Sequence, residues 1–354
     1  MVSEKPVVTW KTLVLPLIGV AAFLLYLYLL QTDIPEIVST LQRANTLIYF
    51  LAGLLIFVDC FFYTMAWRSL LSFLSVKLSF FKSYLYVWYG TFMDIIIPAE
   101  SVSGEISRIY LITREQGEGV SGKVVASLVV QRLISMGIGV ATLGLGLGIL
   151  IIETSVNSLV FNLSLFLISV TIFSLALLLM LCARKNWTLK VIDYVLSTVE
   201  RLSRGKWKLT TVKNEVVKAA EMFHDSMKMF RRSPTVVIFS VILSTISWLC
   251  YLLISYMVFL AIGFSGGLRL WSVVLVTQSI VSAVRSIPIG IPFEVGLPEI
   301  TMTTLYVVLG VPMGLSATAT ILERILTVWL RFFVGFLSQQ WIEIKAVKAR
   351  LKQF

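Results

Sequence analysis

The chain has 354 residues, of which 58% are hydrophobic and only 14% charged, with a net charge of +11 and a mean hydropathy of +0.91. Soluble domains carry about a quarter charged residues, so water-soluble globular folds are excluded. At about 20 residues per helical span, the length holds about eight membrane segments and some polar sequence. A single integral membrane domain over residues 1–354 is expected.

In chain order, Lys5 and Lys11 precede an apolar run at 12–30. That run is too long for a signal-peptide core and lacks a clear cleavage site. It reads as a retained first span with a cytoplasmic N-terminus. Further full spans are expected at 46–67, 121–152, 158–182, 235–262 and 315–341. Two apolar stretches are broken. Residues 80–97 run into Pro98, a polar Gly-containing segment, and then the short apolar piece 106–113. Residues 268–287 meet Pro288, Gly290 and Pro292 before a second apolar piece that ends at Gly310.

Charge sets the orientation, because Lys and Arg beside spans stay cytoplasmic. Residues 184–232 hold twelve Lys/Arg against five Asp/Glu, and residues 342–354 hold four against one. Both segments are therefore placed in the cytoplasm, and residues 31–45 and 153–157 outside. Parity then requires each broken stretch to enter and leave on one face. The expected fold is an all-α polytopic membrane protein with about six full transmembrane helices and two re-entrant helical hairpins. Parity also allows both arms of each hairpin to cross.

The broken stretches repeat one another. Pro98 lies seven residues before Glu105, and Pro292 seven before Glu299. Gly119-Val120 and Gly310-Val311 close the short pieces. Gln131-Arg132-Leu133-Ile134 and Glu323-Arg324-Ile325-Leu326 follow at nearly equal distances. This marks a first repeat motif at 80–152 and a second at 268–341, of inverted topology if the hairpins open to opposite faces. Broken helices at corresponding places in two inverted halves point to a transport site. Irregular backbone at membrane depth is tolerated only when buried in protein or facing a watery cavity.

These motifs resemble the lysylphosphatidylglycerol synthase transmembrane (flippase-like) family. The first motif is Pro98, Gly104-Glu105, Arg108, Gly119-Val120 and Gln131-Arg132. The second is Pro292, Gly296, Glu299, Gly310-Val311-Pro312 and Glu323-Arg324. The resemblance covers nearly the whole chain. It implies the membrane half alone, without a soluble aminoacyltransferase domain, and movement of aminoacylated phospholipids or polyprenyl-linked intermediates between leaflets. The chain departs from the pattern in two places. Gln131 stands where Glu commonly precedes the Arg, and Phe293-Glu294-Val295-Gly296 replaces the usual Gly-Gly before the second Glu.

Ionised side chains inside a membrane cost several kcal/mol, so they pair or line a cavity. The substrate-binding candidates are Glu105, Arg108, Arg132, Arg285, Glu299, Glu323 and Arg324. Arg suits a lipid phosphate because its planar fork binds two oxygens at once. Glu105 and Glu299 sit near the N-termini of the short helices, where free N–H groups favour anions. The bland alternative is Glu–Arg pairs that lock the halves together. Arg331 is expected on the face of Arg324, two turns on. Asp59 and Asp94 also fall in or beside apolar runs, and Asp94 is the candidate for proton coupling.

The glycine run Gly137, Gly139, Gly144, Gly146 and Gly148 lies in an apolar helix and reads as close packing. Residues 184–233 read as a cytoplasmic amphipathic segment, two helices around Arg204-Gly205-Lys206 lying in the headgroup layer. Cys60, Cys182 and Cys250 are far apart, and the only histidine is His224. No metal site, cofactor or nucleic-acid partner is expected. The expected function is a multi-pass cell-membrane transporter, not an enzyme, moving an anionic lipid-linked substrate by alternating access, with both termini cytoplasmic. Its partners are membrane lipids, and a homo-oligomer is compatible with the sequence. The rivals are an intramembrane transferase on a polyprenyl phosphate, which needs a carboxylate cluster not found in the sequence, and a non-transporting scaffold.

Overall fold

The computed structural model describes residues 24, 25, 28, 34–97, 102–153, 157–202, 210–285 and 295–351. These are almost entirely helical and include no strand. Most of the expected first span, the breaks at Pro98 and 288–292, and the turn at 204–206 lie outside the described residues.

In chain order the helices are α1 (Ile34–Arg43), α2 (Thr46–Phe73), α3 (Phe80–Ile96), α4 (Val102–Gln116), α5 (Ser121–Glu153), α6 (Ser158–Ala183), α7 (Lys185–Leu202), α8 (Thr210–Arg232), α9 (Pro234–Ala261), α10 (Gly267–Arg285) and α11 (Leu297–Val308). A last helical run follows as α12 (Met313–Arg324), a π-helical segment (Ile325–Leu330) and α13 (Arg331–Leu351). Local chemistry sets the starts. Asn45 Oδ1 accepts from Leu47 N (3.1 Å) and Ile48 N (3.2 Å) at the head of α2. Pro234 occupies the first turn of α9, where a missing N–H costs nothing. Gly296 heads α11 with φ +105°, a conformation that L side chains rarely adopt.

Five described helices are long and apolar enough to cross a membrane: α2, α5 with the turn before it, α6, α9 and α10. The first four are expected spans. The fifth, α10, is the stretch read from sequence as one arm of the second hairpin. Its 19 residues rise about 28 Å, the thickness of a hydrocarbon core. The expected span at 315–341 lies within the last helical run. It carries Glu323, Arg324 and Arg331 and is more polar than the other five.

The packing is reciprocal. α2 packs along α9. α3 packs on α13, and α10 on α5. The short α4 contacts α3 and α5, just as the short α11 contacts α10 and α12. Even the amphipathic helices correspond, α1 resting on α12 and α8 on α5. These pairings match when 34–153 is exchanged with 210–351, with α6 and α7 between the halves.

Close approaches fix the cross-packing. A Cβ at Gly146 would come within 2.9 Å of Leu275 Cβ on α10, and one at Gly335 within 2.7 Å of the Trp88 carbonyl oxygen on α3. Thr142 Oγ1 and Ser279 Oγ, 3.0 Å apart, add a hydrogen bond between α5 and α10. Of the glycine run only Gly146 makes such an approach. A Cβ at Gly137, Gly139, Gly144 or Gly148 would meet nothing within 4 Å.

The basic amphipathic segment divides its roles. On α7, Trp187, Val191, Tyr194 and Val195 form one exposed apolar face, as a headgroup-layer helix requires. The apolar face of α8 is covered by protein instead. Phe223 and Phe230 are buried, Phe230 lies 5.4 Å from the Phe73 ring, and α8 backbone lies against Gly122. His224 is buried too, and its Nε2 has no hydrogen-bond partner among the described residues. Burial pushes this imidazole below its ordinary value of 6.5, and a backbone hydrogen bond at Cys182 offsets part of the effect. The unfolded chain therefore binds the proton more tightly, and stability falls as the pH drops below 6.5 towards the folded-state value. Thermal melts of the detergent-solubilised protein across this range should show the fall, and His224→Phe should remove that component. An identical acid slope in both proteins would contradict it.

Candidate functional site

The N-termini of α4 and α11 show what the repeat builds. In the second half, Glu299 is the third residue of α11. Its Oε2 accepts from Gly296 N (2.6 Å), capping its own helix, and its Oε1 accepts from Arg324 Nε (2.5 Å). Both side chains are under a tenth exposed. In the first half these two tasks belong to two carboxylates. Asp94 Oδ1, from α3, accepts from Gly104 N (2.6 Å) and Ser103 Oγ (2.8 Å) and caps α4. Glu105 is thereby left to meet Arg132 at 3.2 Å. That pair is open, with Arg132 36% and Glu105 24% exposed.

Gly104 makes the Asp94 cap possible, because any Cβ there would collide with Asp94 and the Gly90 carbonyl. Arg108, one turn on, is almost fully buried. Its Nε donates to Gly104 O (3.2 Å), and its guanidinium lies 5.1 Å from the Trp67 ring centroid and 6.0 Å from that of Tyr63. It forms no ion pair with any described carboxylate. A cation held by ring faces rather than by a carboxylate keeps its charge available.

Glu105, Arg108 and Arg132 line a cavity of about 840 Å³ bounded by α2, α3, α4, α5, α6, α9, α10 and α13. Asp94, Arg285, Asp59 and Arg331 also line it. Four arginines and three carboxylates among the described residues thus line one space. Trp248 Nε1 and Arg331 Nε, on the same walls, have no acceptor among the described residues. The α6 wall is mostly apolar, with Phe166, Leu167, Ile168 and Val170. The cavity is therefore donor-rich on one side and greasy on the other.

Glu299, Glu323 and Arg324 stand apart from this cavity. Glu323 accepts from Ser255 Oγ (2.8 Å), Gln278 Nε2 (2.8 Å) and Tyr306 Oη (3.2 Å), which ties α12 to α9, α10 and α11. Its counterpart Gln131 bonds Ser244 (3.0 Å) and Ser240 (3.3 Å) on α9. The structure thus gathers Glu105, Arg108, Arg132, Arg285 and Asp94 at one cavity and places the other three in a buried cluster. Sequence reasoning missed the partnership of Asp59 with Arg331, 2.6 Å apart and 272 positions separated. It had put Arg331 on the face of Arg324, but the π-helical segment between them changes the angle per residue. Among the described residues no three His, Cys, Asp or Glu side chains group as metal ligands.

The two equivalent pairs differ in energetics. Removing one partner of a buried pair strands a charge and costs about 3–5 kcal/mol, whereas a partly exposed pair contributes about 0–1 kcal/mol. Arg324→Gln should therefore destabilise the protein by about 3–5 kcal/mol, with recovery in the Arg324→Gln/Glu299→Gln double variant. Arg132→Gln should change stability by under about 1 kcal/mol. Denaturation in one detergent tests both, and equal losses for the two single variants would contradict the assignment.

The model of the lysylphosphatidylglycerol synthase TM region matches residues 14–335. A UPF0104 membrane protein of Pyrococcus horikoshii is 24% identical over 339 residues, covering 92% of this chain and 95% of that protein. UPF0104 membrane proteins of Methanothermobacter thermautotrophicus and Methanocaldococcus jannaschii are 21% and 22% identical, covering 92% and 90% of this chain and 94% and 91% of their own. No solved structure gives a significant match. With five described helices long and apolar enough to cross a membrane and a family match over nearly its whole length, the chain is a multi-pass membrane protein that belongs to the lysylphosphatidylglycerol synthase transmembrane-region family.

Proposed function

We propose that this protein is a transporter, not an enzyme, that moves an anionic lipid-linked substrate between membrane leaflets. The observation that carries the reading is Arg108: it is buried on the cavity wall, held by ring faces, a hydroxyl and a backbone carbonyl, and makes no salt bridge among the described residues. A cation at membrane depth is costly without an anion. A lipid phosphate supplies one, along with acceptors for the unsatisfied donors. The apolar wall on α6 suits the acyl or prenyl chains, and α6 itself buries few residues in the protein. An aminoacyl-phospholipid and a polyprenyl-phosphate-linked sugar share this chemistry.

Alternating access is supported by the reciprocal packing together with the unequal ion pairs. Halves of inverted topology that exchange conformations would open the Glu299–Arg324 pair while closing Glu105–Arg132. The short helices support re-entrant hairpins. α4 and α11, with 15 and 12 residues, rise about 22 and 18 Å, short of the roughly 30 Å core. The basic segment and tail support cytoplasmic termini and a cell-membrane location.

Native mass spectrometry of the purified protein tests the reading. Phosphate-bearing anionic lipids should co-purify with the wild type, and Arg132→Gln should lower their occupancy by about tenfold, the loss of one charge-assisted contact. Unselective retention of zwitterionic lipids, unchanged in that variant, would contradict it.

A further inference from the structure

The sequence candidate for proton coupling, Asp94, is committed to capping α4. A different carboxylate occupies the position that coupling needs. Asp59, near the middle of α2, lies on the cavity wall with its two oxygens divided between two other helices. Oδ1 accepts from Ser247 Oγ of α9 (2.5 Å), and Oδ2 accepts from Arg331 Nη2 of α13 (2.6 Å). The Arg331 guanidinium also lies 5.6 Å from the Tyr251 ring, and its Nε has no acceptor among the described residues. Arg331 follows directly on the π-helical segment, a local geometry frequent at functional sites.

We infer that Asp59 and Arg331 form a proton-released ion pair that links binding of the anionic head group to proton uptake. The inference rests on the reading of the cavity as an anion site. A hydronium ion in the cavity gives a proton to Asp59 Oδ2, leaving a neutral carboxylic acid and one water molecule. Arg331 keeps its charge, loses its counter-ion and turns to the substrate anion. The net charge of the cavity rises by one. Anion binding is therefore favoured as the pH falls, and by linkage the bound anion favours proton uptake by the same factor.

Asp59 is suited to this by its surroundings. From α2 itself Cys60 and Tyr63 face it, from α3 Tyr84, and from α9 Cys250 and Tyr251. Ordinary thiols and phenols ionise above the neutral range and stay uncharged there. The fixed charges facing the same space are Arg108 on α4, Arg132 on α5, Arg285 on α10 and Arg331 on α13. All are arginines, which do not titrate in proteins. Two other carboxylates share the cavity: Asp94 on α3 accepts from Gly104 N and Ser103 Oγ, and Glu105 on α4 pairs with Arg132 in a more exposed pair than Asp59–Arg331, where water screens a change in charge.

The test uses the full-length protein in vesicles of phosphatidylcholine with brominated phosphatidylglycerol. Infrared difference spectra between about pH 8 and about pH 5 should show a protonated-carboxyl band that Asp59→Asn removes and Asp94→Asn keeps. If Asp59→Asn does not fold, Arg331→Lys serves in its place, and the band should move in pH. A band absent from the wild type, or unmoved in these variants, overturns the proton site whatever lipid binds. Quenching of tryptophan fluorescence by the brominated lipid reads the coupling. Wild-type affinity should rise about tenfold per pH unit on acidification, the slope for one linked proton, and Asp59→Asn should be tight and flat. The same slope in both proteins overturns the coupling. A titrating Asp59 with no quenching in any protein rejects the anion-site reading and the coupling, and leaves only the proton site.

Discussion

A charge inside a membrane must be met by an opposite charge, a dipole or a ring face, and this constraint organises the described structure. Glu299 answers Arg324 and the N–H at a buried helix N-terminus at once. Asp94 answers the corresponding helix end in the first half, and Glu105 answers Arg132. Asp59 answers Arg331 and ties α2, α9 and α13 together at one point. These polar contacts join helices far apart in sequence, in a setting where apolar surface gives little drive for helices to associate.

Division of labour between two carboxylates separates the halves chemically. Where one glutamate both caps and pairs, the cluster is closed and buried. Where Asp94 takes over the capping, Glu105 and Arg132 stay partly open and a cavity exists. The same split explains the contrast between Glu323 and Gln131. The glutamate is held by three neutral donors in the closed half, and the neutral amide serves beside the open one. A proposal of alternating access needs two such arrangements of nearly equal energy, and the two halves display one of each.

Much of this was legible in the sequence, and the rest was not for physical reasons. The Pro–Glu–Gly–Arg spacing points to both motifs, because ionisable residues stand out against an apolar background. Four spanning helices followed from hydropathy alone. The Asp59–Arg331 pair did not, since partners on α2 and α13 meet only through tertiary packing. Nor did the π-helical segment, whose residues Ile325–Leu330 read as an ordinary apolar stretch. The apolar face of α8 reads from sequence as facing headgroups, whereas protein covers it. An amphipathic pattern reports that a helix has an apolar side, and not whether lipid or protein covers it. Five similar glycines in α5 concealed that only Gly146 meets a neighbour.

The central claim is that the open pair and the closed pair exchange places. Ser135 and Thr327 each lie three residues after their arginine, Ser135 on the cavity wall and Thr327 buried. Ser135→Cys and Thr327→Cys, made singly in a background without Cys60, Cys182 and Cys250, report on the two sites. With a membrane-impermeant thiol reagent on sealed vesicles, the account predicts access from opposite faces. It also predicts that any condition raising labelling at position 135 lowers it at 327. Labelling of both positions from one face, or changes at one that leave the other untouched, would contradict it.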